Sequence, residues 1–296
     1  MTANREVDEI MEQTPEAVML PTTATAILQK SSQPDTPAVE IANLRKSDQA
    51  LSARVLKVAN SAFYSLPRQI ASIDNAVVLL GQKTIRNLVL TATMSGMGAR
   101  GVAGYGIPRG GLFDHAIVVA QSAQALSTQT NRAVPAEAYP AGLLHDIGKV
   151  VLGEHVENRV GAIIDIAESE GCSFAEAERR LLGINHAEVG AVLAEKWGLP
   201  DFLVGAIRSH HTGPDRDESD ETGTLTATCI IANEGARGTG SGVGINETPD
   251  PKLSGVVLEI LGSKQNESGD IEQMLLKNIE ETMSLLEGGG DSNGDA

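Results

Sequence analysis

Apolar residues recur along most of this chain at the three-to-four-residue spacing of a helix face. In the stretch 48–60, Leu51, Val55, Leu56, Val58 and Ala59 form such a face, with Asp48 placed as its N-cap. Before it, Val39, Ile41, Ala42 and Leu44 predict a helix over 37–46. After it, Ser72 is placed to cap SIDNAVVLLG and Gly81 to end it, and QKTIRNLVLTATM reads as a further amphipathic helix. Residues 96–111, GMGARGVAGYGIPRGG, are too rich in glycine for regular structure and read as a mobile connector between two helical lobes.

The second lobe repeats the helical period. LFDHAIVVAQSAQALSTQT comes first, then PAEAYPAGLLHDIGKVVLGEH, then a helix from about Asn158 to Glu170. Ser173 and Glu176 have the spacing of a capping box ahead of FAEAERRLL. HAEVGAVLAEKWGLP follows, with Gly198 as its stop and Pro200 just beyond. DFLVGAIRSHH, GTLTATCIIANEGA and IEQMLLKNIEETMSLLE are the remaining helices. Between them lie a charged loop at 212–222 and a Gly/Pro-rich stretch at 238–250. Nothing alternates with the period of a strand. The expected fold class is all-α, in two helical lobes.

Composition adds three constraints. Aromatic residues are 3% of the 296 residues, so the core has to be aliphatic. The net charge of −16 is uneven: residues 1–100 hold 10 Lys/Arg against 9 Asp/Glu, while 212–296 hold 5 against 17. An acidic second half argues against a non-specific grip on nucleic acid or anionic lipid. The acidic segment itself reads as a solvated face, with a partner surface as the alternative. Cys172 and Cys229 form no CxxC pair and read as small core fillers in a reducing compartment. The acidic N-terminus MTANREVDEIMEQ lacks the apolar region of a signal peptide, and no run of 18 apolar residues suggests a membrane span, so a cytoplasmic protein is expected.

The candidate chemistry lies in the second lobe, which holds all six histidines: His115, His145, His155, His186, His210 and His211. Adjacent His145 and Asp146 sit in an apolar stretch, where a buried imidazole and carboxylate call for a reason. Near a helix end the two side chains splay around one ion, and ligands from several helices build metal sites inside bundles. His155, at a helix end, reads as an ordinary satisfied histidine. Lys149, one turn after His145, is placed to steady phosphoryl charge, or is a solvated helix-face lysine covering apolar surface, the commoner role for its type. In the first lobe Arg45, Lys46, Arg54, Lys57, Arg68, Lys83 and Arg86 read as solvated faces, with a docking surface for an acidic partner or nucleotide as the sharper alternative. Asn60, Ser61 and Asn75 read as structural caps.

LLHDIGKVVL resembles the HD superfamily, whose catalytic members are metal-dependent phosphohydrolases. LSARVLKVANSAFY, IASIDNAVVLLG and HAEVGAVLAEKWGLP are more specific, and over about residues 14–212 the chain resembles HDOD domains, HD-related output domains of bacteria. The resemblance implies two packed helical lobes, an N-terminal helical bundle on an HD-like helical bundle, in an HDOD domain at 13–212 divided into a lobe at 13–95, the connector at 96–111 and an HD-like lobe at 112–212. Residues 1–12 precede it, and an acidic helical extension at 213–287 and a tail at 288–296 follow. It also implies ligand positions for iron, manganese or zinc: His115, the pair His145 and Asp146, His186, and His210 with His211, which match paired histidines of the HD-GYP branch that hydrolyses cyclic di-GMP. Two departures weaken turnover. Asn233 stands where the superfamily places its last aspartate, and HHTGPDRDE replaces the GYP signature. HDOD domains are regarded as signalling modules, mostly without demonstrated catalysis. The expected function is regulation through a protein partner, such as a kinase, a response regulator or a cyclic-dinucleotide enzyme. A phosphohydrolase acting on a nucleotide or cyclic dinucleotide, and a metal or nucleotide sensor, are the alternatives.

Overall fold

The computed structural model describes residues 10, 20–31, 48–61, 64, 69–129, 135–214, 221–238 and 268–290. The helix expected over 37–46, with Arg45 and Lys46, lies outside these residues, as do Arg68, most of the 212–222 loop, nearly all of 238–250 and the last six residues.

Among the described residues, three helices form the N-terminal bundle: α1 (Thr22–Ser31), α2 (Gln49–Ala59) and α3 (Ile73–Gly98). The expected caps open two of them. The Leu51 N–H donates to Asp48 Oδ1 at 2.8 Å, and the Asn75 N–H donates to Ser72 Oγ at 3.2 Å. Gly81, at φ 77°, breaks the helix where the sequence predicts, and α3 resumes after the kink. Asn60 is structural, as expected. Its Nδ2 donates to the Leu56 and Ile70 carbonyls and its Oδ1 accepts from the Ile70 N–H, which ties the end of α2 to the start of α3.

Nine helices follow among the described residues: α4 (Gly111–Gln129), α5 (Pro135–Leu144), α6 (Gly148–Val156), α7 (Val160–Glu170), α8 (Phe174–Leu182), α9 (His186–Lys196), α10 (Asp201–Ser209), α11 (Glu221–Gly238) and α12 (Ser268–Gly290). Among the described residues there is no strand, only an isolated bridge between Val102 and Ile107, and the all-α expectation holds. α4 packs on α5, α11 and α12, while α9 packs on α6 and α10. α3 packs on both α4 and α5, so the two bundles share one apolar core running from Leu20 to Ile279. None of these helices is long and apolar enough to cross a membrane. In the acidic segment, α12 lays Leu275 and Ile279 into that core.

Four local readings change. Residues 96–111 are built into the fold. Residues 96–98 still belong to α3, Ala103–Tyr105 is a 3-10 turn, and Val102, Tyr105 and Ile107 are buried. The glycines here serve close approach: a Cβ on Gly104 would stand 2.2 Å from the Gly153 carbonyl oxygen of α6. At the start of α8, the Glu176 N–H donates to Ser173 Oγ, but the Glu176 carboxylate accepts from Arg180. The complete capping box is Asn185 with Glu188, at the start of α9. The tail reading also shifts, because α12 continues to Gly290.

Arg86 is the fourth. Arg54, Lys57 and Lys83 are exposed, but Arg86 is buried and its guanidinium donates to Glu137 Oε1 at 2.6 Å, joining α3 to α5. A helix face that looks solvated in sequence is covered by another bundle. Glu137→Ala would remove this carboxylate from a buried guanidinium, and a loss of about 3 kcal/mol is expected in urea unfolding. The double variant Arg86→Met/Glu137→Ala should recover most of it.

Candidate metal centre

The turn between α5 and α6 carries His145 and Asp146. Because α5 stops at Leu144 and α6 starts at Gly148, neighbouring side chains can splay instead of following one helix face. His145 Nδ1 lies 2.7 Å from the Gly142 carbonyl oxygen. A carbonyl only accepts, so Nδ1 carries the proton and Nε2 offers a lone pair toward Asp146 Oδ2 at 3.3 Å. His210 follows the same rule at the end of α10. Its Nδ1 donates to the Ile207 carbonyl at 2.7 Å, and its Nε2 stands 3.6 Å from Asp146 Oδ1. His186, the first residue of α9, places Nε2 at 3.3 Å from Asp146 Oδ1. His211 lies beside it, with Nε2 at 2.8 Å from His186 Nε2. From α4, His115 Nε2 is 3.9 Å from Asp146 Oδ2 and 3.1 Å from Asn233 Oδ1 on α11.

All seven residues that the resemblance singles out around a metal thus meet at one place, with Asp146 at its middle. His155, in the last turn of α6, belongs to neither cluster of ligand atoms. Lys149 departs from the commoner reading. It is buried, not solvated, and its Nζ donates to Asp146 Oδ2 at 2.8 Å while lying over the Tyr105 ring.

Two participants carry no signal that sequence reasoning picked up. Glu178 of α8 is fully buried and accepts from the His186 backbone N–H at 3.0 Å and His186 Nδ1 at 2.7 Å. The Tyr105 hydroxyl donates to its other oxygen. The available clues were a carboxylate on the apolar face of α8, one turn after Phe174, and a lone tyrosine among glycines.

Charge is distributed unevenly over the cluster. Burial alone would raise Asp146, but the Lys149 ammonium holds its carboxyl well below the usual range. Burial likewise opposes charge on His186, yet Glu178 wins and raises it to about 9, so without a metal its Nε2–H donates to His211. Burial pushes His210 down to about 4. Burial, then the Asp146 charge, pushes the nearby Cys229 thiol up, and with its Sγ against the Ala141 carbonyl it remains a core filler, as expected.

A metal is suited to what is left over. His145 Nε2, His210 Nε2 and Asp146 Oδ1 are buried with no hydrogen-bond partner among the described residues. Native interiors rarely leave such atoms unmatched. Two lone-pair nitrogens and a carboxylate oxygen, with imidazoles pinned through their other nitrogens, form a donor set that divalent transition metals accept.

Comparison with known proteins bears on the family and the fold. A model of the HDOD domain matches residues 18–213. The chain is 29% identical over 215 residues to an uncharacterised protein of Treponema pallidum (strain Nichols), covering 72% of this chain and 41% of that protein, so it spans about two fifths of that relative. Among solved structures, an HDOD domain protein of unknown function from Geobacter sulfurreducens is 27% identical, with a TM-score of 0.71 and coverage of 96% and 98%. A candidate phosphohydrolase from Shewanella amazonensis SB2B is 25% identical, with a TM-score of 0.64 and coverage of 95% and 98%. With the family match running from α1 through α10, across both bundles and the His–Asp turn, this chain belongs to the HDOD domain family.

Proposed function

We propose that this chain is a regulatory HDOD protein that relays a signal by binding a protein partner, and that its His–Asp centre holds a divalent metal ion without robust turnover. The closure of the centre carries this reading. The side chains of His145, His186 and His210 are 0% exposed and that of Asp146 is 5% exposed. A single ion fits among such groups, but a phosphoester, far larger, needs an open face. Asn233, neutral where catalytic members of the superfamily are expected to carry aspartate, points the same way.

Asp146, His186, His210 and His211, with His115, His145 and Asn233 around them, are the residues that would hold the ion. When bound, a divalent ion lowers the pKa of its water and supplies hydroxide near neutral pH. The chain's own residues orient the donors. The Gly142 and Ile207 carbonyls and the Glu178 carboxylate select the imidazole tautomers, and Lys149 anchors Asp146. The proposed partner is a signalling protein of the kinase, response-regulator or cyclic-dinucleotide-enzyme kind. A basic docking face would complement the acidic second half of this chain. Two free cysteines suit a reducing compartment such as the cytoplasm.

A phosphohydrolase acting on a nucleotide or cyclic dinucleotide is the second reading, favoured by the full histidine set and by Lys149 buried at Asp146. Elemental mass spectrometry on untagged protein, beside Asp146→Asn, separates the readings when joined to a phosphodiesterase assay. The proposal expects bound iron, manganese or zinc that Asp146→Asn loses, and no Asp146-dependent hydrolysis of bis(p-nitrophenyl) phosphate. Hydrolysis abolished by Asp146→Asn would establish the second reading instead. Protein without metal would remove the metal part of the proposal.

A further inference from the structure

The ligand atoms fall into two groups that share Asp146: His186, His210 and His211 on one side, His115 and His145 on the other. We infer that the ion sits on one side only, held by Asp146 Oδ1, His186, His210 and His211, and that the His115/His145/Asn233 side is a closed half-site that takes no second ion. This rests on the metal reading above and sharpens it.

The two oxygens of Asp146 are not equivalent. Oδ2 already accepts from the Lys149 ammonium at 2.8 Å, whereas Oδ1 is buried without a hydrogen-bond partner among the described residues. A cation added at Oδ2 would meet an ammonium held there by the fold, while one added at Oδ1 would meet a carboxylate oxygen faced by the ring nitrogens of His186 at 3.3 Å and His210 at 3.6 Å. The imidazoles differ in the same sense. On the Oδ1 side His210 Nε2 is a free lone pair, because its Nδ1–H is spent on the Ile207 carbonyl. His186 and His211 bring their Nε2 atoms to 2.8 Å of each other, a contact that requires a proton between them and that an ion would replace. Behind His186 lies the buried Glu178 carboxylate, a second negative charge that serves this side and fixes the ring through Nδ1.

The Oδ2 side lacks those features. His115 Nε2 faces the Asn233 amide oxygen at 3.1 Å; an amide oxygen only accepts, so this nitrogen donates and has no lone pair to offer. Asn233 brings no charge. His145 Nε2 has a lone pair, but the oxygen it faces at 3.3 Å is the one Lys149 occupies. With Lys149 matching Asp146 there, no uncompensated negative charge remains on that side. Asn233 and Lys149 together determine how many ions the centre takes, a role separate from turnover.

Cobalt(II) is the probe, because imidazole ligation gives it visible absorption. Chelator-stripped full-length protein is titrated with cobalt chloride by calorimetry and absorption. The expected stoichiometry is one cobalt per chain, rising to two in Asn233→Asp. His115→Ala should still bind one, with affinity within about threefold of wild type, whereas His210→Ala should bind at least about 100-fold more weakly. Glu178→Gln, a change at a positioning residue, should weaken binding roughly 10–100-fold without changing the stoichiometry. Two comparable cobalt sites in the wild type would overturn the inference while leaving the metal reading intact. Loss of binding in His115→Ala with retention in His210→Ala would do the same. No cobalt binding by the wild type would defeat the metal reading itself. The wild-type count and the gain in Asn233→Asp do not depend on a variant that removes a buried side chain.

Discussion

Asp146→Ala is expected to destabilise the metal-free protein by about 3–5 kcal/mol, the usual cost of leaving one member of a buried ion pair without its partner. Lys149 is 5% exposed at its side chain, and Asp146 is the carboxylate it bonds, at 2.8 Å. Truncation takes the carboxylate away from a buried ammonium that also lies 5.6 Å from the Tyr105 ring centroid. It also removes the anion that faces His145, His186 and His210. Urea unfolding in the presence of chelator measures the loss. A double-mutant cycle with Lys149→Met identifies its origin: the double variant should recover about half or more, because the stranded charge goes with the lysine. If Asp146→Ala unfolds at the wild-type midpoint, the buried pair contributes nothing net and the electrostatic account of the centre is wrong.

Gly148→Ala should cost about 3 kcal/mol and weaken metal binding in the same variant. A Cβ at this position would stand 1.9 Å from the His186 carbonyl oxygen and 2.6 Å from the Gly190 N. Both are backbone atoms, so no side chain can swing aside; α6 and α9 must separate. Overpacking of a core typically costs 1–3 kcal/mol, and contact against backbone falls at the upper end. The affinity effect follows from position. Gly148 lies two residues after Asp146, and the atom it would strike belongs to His186, so separation lengthens the 3.3 Å approach between the two side chains. Gly161→Ala is the control. It lies in α7 with nothing within 4 Å of the added Cβ, and should stabilise by about 0.5–1 kcal/mol through helix propensity alone. Thermal melts of the two variants, with and without cobalt, test the pair of expectations. Similar shifts in both would mean that the α6–α9 contact tolerates a methyl group.

The features legible in sequence are those that a few neighbouring residues decide. Asp48 and Ser72 cap their helices because a short side-chain oxygen reaches an N–H three residues on. Gly81 breaks α3 because few other residues accept its backbone angles. The histidines were legible by type and spacing, and their resemblance to a known pattern grouped them before any coordinates did. Features that depend on a distant element were not. Arg86 looks like a surface cation until α5 brings Glu137 to it, across 51 residues. Lys149 looks like a helix-face lysine until Asp146 and Tyr105 close over it. Residues 96–111 look mobile by composition, yet their glycines let Val102, Tyr105 and Ile107 settle against α6.

For this protein the sequence by itself determined the all-α class and the main helix starts and stops, which follow from local backbone preference, and its resemblance to the HD pattern singled out the candidate metal ligands. The tertiary structure alone decided which of those groups are matched. It set Lys149 on Asp146 Oδ2, brought Glu178 behind His186, turned Asn233 toward His115 and left Asp146 Oδ1 open. The reason is that burial charges every polar atom for an unmet partner, and whether a partner is met depends on helices far apart in the chain packing to within about 3 Å.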